Sequence, residues 1–204
     1  MTSDSEEIEH TTTNLTVDPQ LVESNIQALS EGSELIRLLK GDQYVQGFKP
    51  AFSSTIGAHF RHVLEHYRCF NSQIVDRSFC YDKRERDQLL ECDSSYALQT
   101  IDSLIQALSE LALKSEKDAD MVQGDFTIAD EQTSSKISTT INRELLFLQA
   151  HTVHHYAIIG AMTRAFGNQP DEDFGVAIAT RVHNETCAET ATPTMSTKGA
   201  TCAQ

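Results

Sequence analysis

With 204 residues, 39% of them hydrophobic, and a formal net charge of −14, the chain has material for one folded domain with polar tails. Lys and Arg form no basic block, which excludes nucleic acid and acidic membrane surfaces as expected partners. No run approaches the ~18 apolar residues of a membrane span, and the acidic N-terminus lacks the segments of a signal peptide, so the expected compartment is the cytoplasm.

Residues 1–16 are Thr/Ser/Glu-rich without apolar periodicity and read as a disordered tail, as do residues 184–204; the folded unit is expected over 17–183. A first helix is predicted from Asp18 and Pro19, an N-cap with Pro in the first turn. Val22, Ile26, Leu29, Ile36 and Leu39 recur along it until Gly41. A second starts near Ser53 or Ser54 and carries Phe52, Ile56, Val63, Phe70 and Ile74 on one face. The third opens at Asp93 or Ser94 with Ala97, Ile101, Leu104, Ile105, Leu108 and Leu111. The fourth starts near Ser138, runs through Ile141, Leu145, Leu148, Ile158, Ile159 and Met162, and stops at Gly167. Between the last two, "DFTIAD" is β-prone, a lone hairpin or an extended lid. No strand–helix alternation appears, so the fold class is all-α, a four-helix bundle with two long connections. Cys69, Cys80, Cys92, Cys187 and Cys202 have no paired spacing and are expected as free thiols.

Six of the eight histidines fall in two clusters, His59, His62 and His66 on the second helix and His151, His154 and His155 on the fourth. A residue turns a helix by about 100°, so i and i+4 share a face. His151 and His155 have that spacing and follow the stripe of Leu148, Ile158 and Met162, with His154 to one side. His62 and His66 also have it, while His59 and His66 align best with Phe52, Val63 and Phe70. Unpartnered buried imidazoles cost on the order of 2–7 kcal/mol each. Two such clusters facing one core instead predict a cation held between the helices.

"TIGAHFRHVLEHY", followed much later by "ELLFLQAHTVHHYAIIGAM", resembles the DinB / YfiT-like metalloenzyme superfamily. Its members are four-helix bundles with a histidine closing an IGxxxxH element and an HxxxH near the end of the bundle. The resemblance covers about residues 20 to 183 and implies His62, His151 and His155 as metal ligands. Periodicity alone favours His59 and His66 as the innermost residues, leaving open whether one of them replaces or supplements His62.

Three neutral imidazoles leave an open position on a divalent transition metal such as Zn, Ni, Fe or Cu, the arrangement of catalytic sites. There a water or a thiol becomes a nucleophile near neutral pH. The resemblance further implies a transferase or isomerase that uses a low-molecular-weight thiol. The expected protein is thus a metal-dependent thiol S-transferase or hydrolase acting on a small molecule, with a homodimer also expected. A non-catalytic bundle braced by metal is the alternative. Glu65, Glu144 and His154 are candidates for orienting ligands or moving protons, or else for solvated and capping roles. Arg84 and Arg86 in "YDKRERD" are candidates for binding an anionic co-substrate, or else part of a solvated loop. "DFGVA", Asp173 to Ala177, is expected to pack back on the bundle.

Overall fold

The computed structural model describes residues 17–117 and 125–190; the expected tails at 1–16 and 191–204 lie outside the described residues. Helix α1 (Pro19–Leu38) begins as its cap predicts, with Asp18 Oδ1 accepting from the Gln20 amide at 2.8 Å. Helix α2 (Ile56–Gln73) starts slightly later than expected, because Thr55 Oγ1 is the group that accepts from the Ala58 amide, at 3.0 Å. A short strand β1 (Ser78–Phe79), a single 3₁₀ turn (Tyr81–Lys83) and a one-turn helix α3 (Leu89–Cys92) follow. Asp93 then receives the Ser95 and Tyr96 amides and opens α4 (Ser94–Lys117) where the sequence places it.

Strands β2 (Phe126–Ala129) and β3 (Lys136–Thr139) form an antiparallel hairpin with Phe126 opposite Thr139. It is not a lone hairpin, since β1 adds a parallel third strand with Ser78 opposite Thr127. The fold is therefore mostly helical, with a small sheet that an all-α description omits. Because residues 136–139 are a strand, helix α5 (Ile141–Ala165) starts after Ser138, capped by Thr140. It ends where expected, with Gly167 in the left-handed region at φ +82°.

A further helix, α6 (Ile178–Thr190), crosses residues assigned to the C-terminal tail. Its polar sequence carries little apolar periodicity. It is pinned instead by Arg181, whose Nη1 and Nη2 donate to the Glu31 carboxylate at 2.8 and 3.0 Å and whose Nε donates to Val176 O at 3.0 Å. Cys69, Cys80 and Cys92 are free thiols as predicted, while Cys202 lies outside the described residues.

The four long helices share one core: α1 packs on α4 and α5, and α2 packs on the same two. Phe60, Val63, Leu64, Ile101, Leu145, Leu148, Ile159 and Met162 are fully buried there, each such side chain contributing about 1.5–3 kcal/mol of burial. Polar pins fix the register of α2 against α5. Tyr67 donates to Asn25 Oδ1 at 2.8 Å, Asn25 donates to Leu145 O at 3.0 Å, and the Thr152 hydroxyl lies 3.2 Å from the Tyr67 oxygen. Tyr67 and Thr152 neighbour His66 and His151, so this network sets how the two histidine clusters meet.

Gly57 shows why the helix bearing the first cluster begins as it does. A Cβ there would overlap the Glu91 carbonyl and stand 2.8 Å from the Tyr44 ring. The Gly57 amide donates to Tyr44 O at 2.8 Å, and Tyr44 in turn donates to Leu90 O at 2.6 Å. Both neighbours are held in place and have little room to yield. Gly57→Ala is expected to destabilise the fold by about 1–3 kcal/mol, read as a fall in the urea midpoint; an unchanged midpoint would show that α2 and α3 can part without cost.

Candidate metal centre

Helices α2 and α5 bring the two histidine clusters together. His62 Nε2 lies 3.1 Å from His151 Nε2, and His59 Nδ1 lies 3.0 Å from His155 Nδ1. The rings of His62, His151 and His155 stand 4.6–4.9 Å apart, centroid to centroid. His66 completes the group at 4.5 Å from His62 and 4.2 Å from His151. Among the described residues, one nitrogen each of His62, His66 and His151 lies within 4.8 Å of the others. His66 is the buried ring of the α2 cluster, as periodicity predicts, while His59 and His62 are half-buried. His154 is exposed, its ring 5.3 Å from that of His155.

The rings are held neutral. Burial foremost, then the charge of neighbouring rings, pushes His62 and His66 down to about 3 and His151 and His155 down to about 4. Burial and His154 lower His59 as well. His66 Nδ1 donates to His62 O at 2.6 Å, which leaves the Nε2 lone pair facing Arg84 Nη1 at 3.4 Å.

An ion bound tetrahedrally at about 2.0–2.1 Å from imidazole nitrogens holds those nitrogens roughly 3.3 Å apart. The 3.1 Å approach of His62 to His151 matches that spacing. His151 Nδ1 is also buried without a hydrogen-bond partner. Neutral rings converging at ligand spacing, one with an unsatisfied nitrogen, fit a transition-metal site.

Aromatic and acidic neighbours orient the rings. Phe147, one turn before His151, stacks on it at 5.5 Å and 13°. Tyr81 stacks on His66 at 5.3 Å and continues a ladder through Phe79 to Phe126 in the sheet. Its hydroxyl donates to Glu144 Oε2 at 2.9 Å, while Glu144 Oε1 accepts from Thr139 and Arg143. Glu144 thus acts on the cluster through Tyr81. Neither Tyr81 nor Phe147 was identified from sequence; for Phe147 the i−4 spacing to His151 was a usable signal, whereas the contact of Tyr81 with His66 arises only in the fold. Tyr81→Phe strips a donor from a carboxylate that is 0% exposed and is expected to cost about 1–3 kcal/mol, seen as a lower urea midpoint. An unchanged midpoint would mean that Thr139 and Arg143 satisfy Glu144 without it.

Glu65 is buried, but its Oε1 accepts from the Asp87 amide at 2.6 Å and its Oε2 stands 3.8 Å from Arg84 Nε, so it anchors the 81–87 segment. Burial raises its pKa, against that amide and the nearby arginines. Arg84 lies against His66 with a side chain only 17% exposed. Arg86 is exposed at a left-handed position, φ +56°, and makes no hydrogen bond or ion pair among the described residues. The structure brings Arg84 to the centre and not Arg86.

The chain matches the DinB family over residues 10–179. It belongs to the DinB family. This DinB-family chain is also similar to a protein of Rhizopus delemar named FK506-binding protein 5, 29% identical over 103 residues that make up 50% of this chain and 26% of that protein. The chain thus matches about a quarter of that relative's length. No solved structure matches. No helix among the described residues is long and apolar enough to cross a membrane.

Proposed function

We propose that this DinB-family protein is a metal-dependent enzyme that activates a small thiol for transfer to an electrophile, or water for hydrolysis. The four long helices act as a four-helix bundle in the manner of that superfamily. The observation that carries the reading is the approach of His62 to His151 at 3.1 Å between rings held neutral. His155 is the third ligand. His66 competes for that place by distance, but its free nitrogen faces the Arg84 guanidinium. Placing a second cation beside that charge costs about 4 kcal/mol per unit charge at ~4 Å in a partly buried setting. A divalent ion such as Zn, Ni or Fe supplies the Lewis acidity that makes a bound thiol or water nucleophilic near neutral pH.

The chain's own residues do the rest. Phe147 and Tyr81 fix ring orientation, and Glu144 holds Tyr81. Glu65 positions Arg84, which receives the anionic part of the co-substrate. His154, exposed beside His155, passes the thiol's proton to solvent as sulfur forms its new bond and the leaving group departs with the electron pair. The protein works in the cytoplasm and as a homodimer. Reconstituted protein should bind about one equivalent of metal and consume glutathione or cysteine with monochlorobimane only when loaded. Metal content near zero after reconstitution overturns the reading. Full metal content without any metal-dependent thiol or water chemistry leaves the non-catalytic, metal-braced bundle, which five adjoining imidazoles also support by offering a fourth ligand.

A further inference from the structure

A cleft of about 560 Å³ opens between α2, α4 and residues 83–85, and no histidine lines it. That volume is in the range of small-molecule sites. Two guanidinium groups form part of its wall, and they differ in what they have left to give. Arg68 spends its fork inside the protein: Nη1 donates to Asp87 at 2.9 Å, and Nη2 to Tyr96 and Thr100 at 3.1 and 3.0 Å. Arg84 spends only Nη1, on Tyr81 O and His66. Its Nε is buried without a hydrogen-bond partner, and Nη2 makes none among the described residues.

Nε and Nη2 together form the edge of a guanidinium that takes a carboxylate in two parallel hydrogen bonds. Glu65 Oε2, the nearest internal acceptor, stands 3.8 Å from Nε, beyond hydrogen-bonding distance. Lys83 lines the same cleft with a side chain 64% exposed, and adds a second positive charge. Asn71 and Gln99, exposed on the cleft wall, make no side-chain hydrogen bond among the described residues.

We propose that this cleft binds a small carboxylate-bearing molecule, with its carboxylate on the Nε–Nη2 edge of Arg84 and its polar remainder on Asn71 and Gln99. This deepens the co-substrate part of the proposed function by giving the anionic end a place outside the histidine cluster. Partial neutralisation of Arg84 by Glu65 sets the expected affinity in the millimolar range.

The test uses the full chain without metal, with succinate as the probe and succinamide, its uncharged analogue, as the control. Titration followed by backbone-amide NMR should shift the resonances of residues 71, 84 and 99 with succinate and not with succinamide. Arg84→Gln should weaken succinate binding at least about tenfold, the loss of one bidentate charge-assisted pair. Asn71→Asp, at an exposed position that folding does not need, should weaken it several-fold by placing a second anion in the cleft, and it carries the test if Arg84→Gln fails to fold. No succinate binding by wild type, equal binding of succinamide, or wild-type affinity in Asn71→Asp or in folded Arg84→Gln overturns the proposal. Because no metal is present, failure here leaves the metal-site reading standing, and failure of metal binding leaves this one standing.

Discussion

Replacing His151 or His62 with Ala is expected to reduce bound metal from about one equivalent to below about a tenth, measured by elemental analysis after dialysis against a weak chelator. Both rings contribute the nitrogens that meet at 3.1 Å, and each lies on a different helix, so neither can be replaced by a neighbour on its own turn. Losing even an outer partner of a metal ligand costs on the order of 10- to 100-fold in affinity; losing a ligand should exceed that. The same measurement on His155→Ala and His66→Ala identifies the third donor. Charge favours His155, because Arg84 faces His66 Nε2 at 3.4 Å; distance favours His66. Metal lost in His66→Ala but kept in His155→Ala would reverse the assignment made here. His154→Ala, at an exposed position, should keep its metal. Equal, near-zero metal in wild type and every variant would reject a metal centre altogether.

Acidifying the metal-free protein from pH 7 to pH 5 is expected to cost on the order of 2–3 kcal/mol of stability. The folded rings of His62 and His66 titrate near 3 and those of His151 and His155 near 4, against an ordinary 6.5. Below 6.5 the unfolded chain takes up protons that the native cluster refuses, so stability is complete above that value. It falls as pH drops through the window from 6.5 toward 4. Each ring contributes at most about 1.4 kcal/mol per pH unit inside the window. Four independent rings would therefore exceed the expected figure. It is reduced because three of them are partly exposed and screened, and because the mutual repulsion among them counts once per pair. Glu65, raised by burial, works in the opposite sense but only in the carboxylate range. Urea midpoints at pH 7, 6 and 5 with chelator present read the effect directly. A flat response would show that the rings are solvated in the native state.

Much of the helical frame was legible in the chain because its signals are local. Asp18–Pro19, Asp93 and Gly167 mark helix ends within a residue or two, since a cap acts on amides next to it. The start of α5 was misplaced because residues 136–139 pair with β2, and a strand chosen by pairing leaves only a weak trace in its own residues. Helix α6 was missed for a similar reason, its anchor being Glu31 on α1.

The candidate site divides along the same line. Helical spacing alone places His62 with His66 and His151 with His155 on shared faces, and it puts both faces toward a core; that much is set by the period of the helix. Which rings approach across the gap is another matter. It depends on the rotation and slide of α2 against α5, set by Tyr67, Asn25 and Thr152 through hydrogen bonds between distant segments. The placing of Arg84 on His66 while Arg86 faces away from the cluster's bonds also comes from the fold, through the Glu65 anchor and the turn at Tyr81–Lys83. Sequence by itself determined that imidazoles would line one helical core; only tertiary packing decided which nitrogens meet, because a shift of an ångström between two helices exchanges one neighbour for another and leaves every local pattern unchanged.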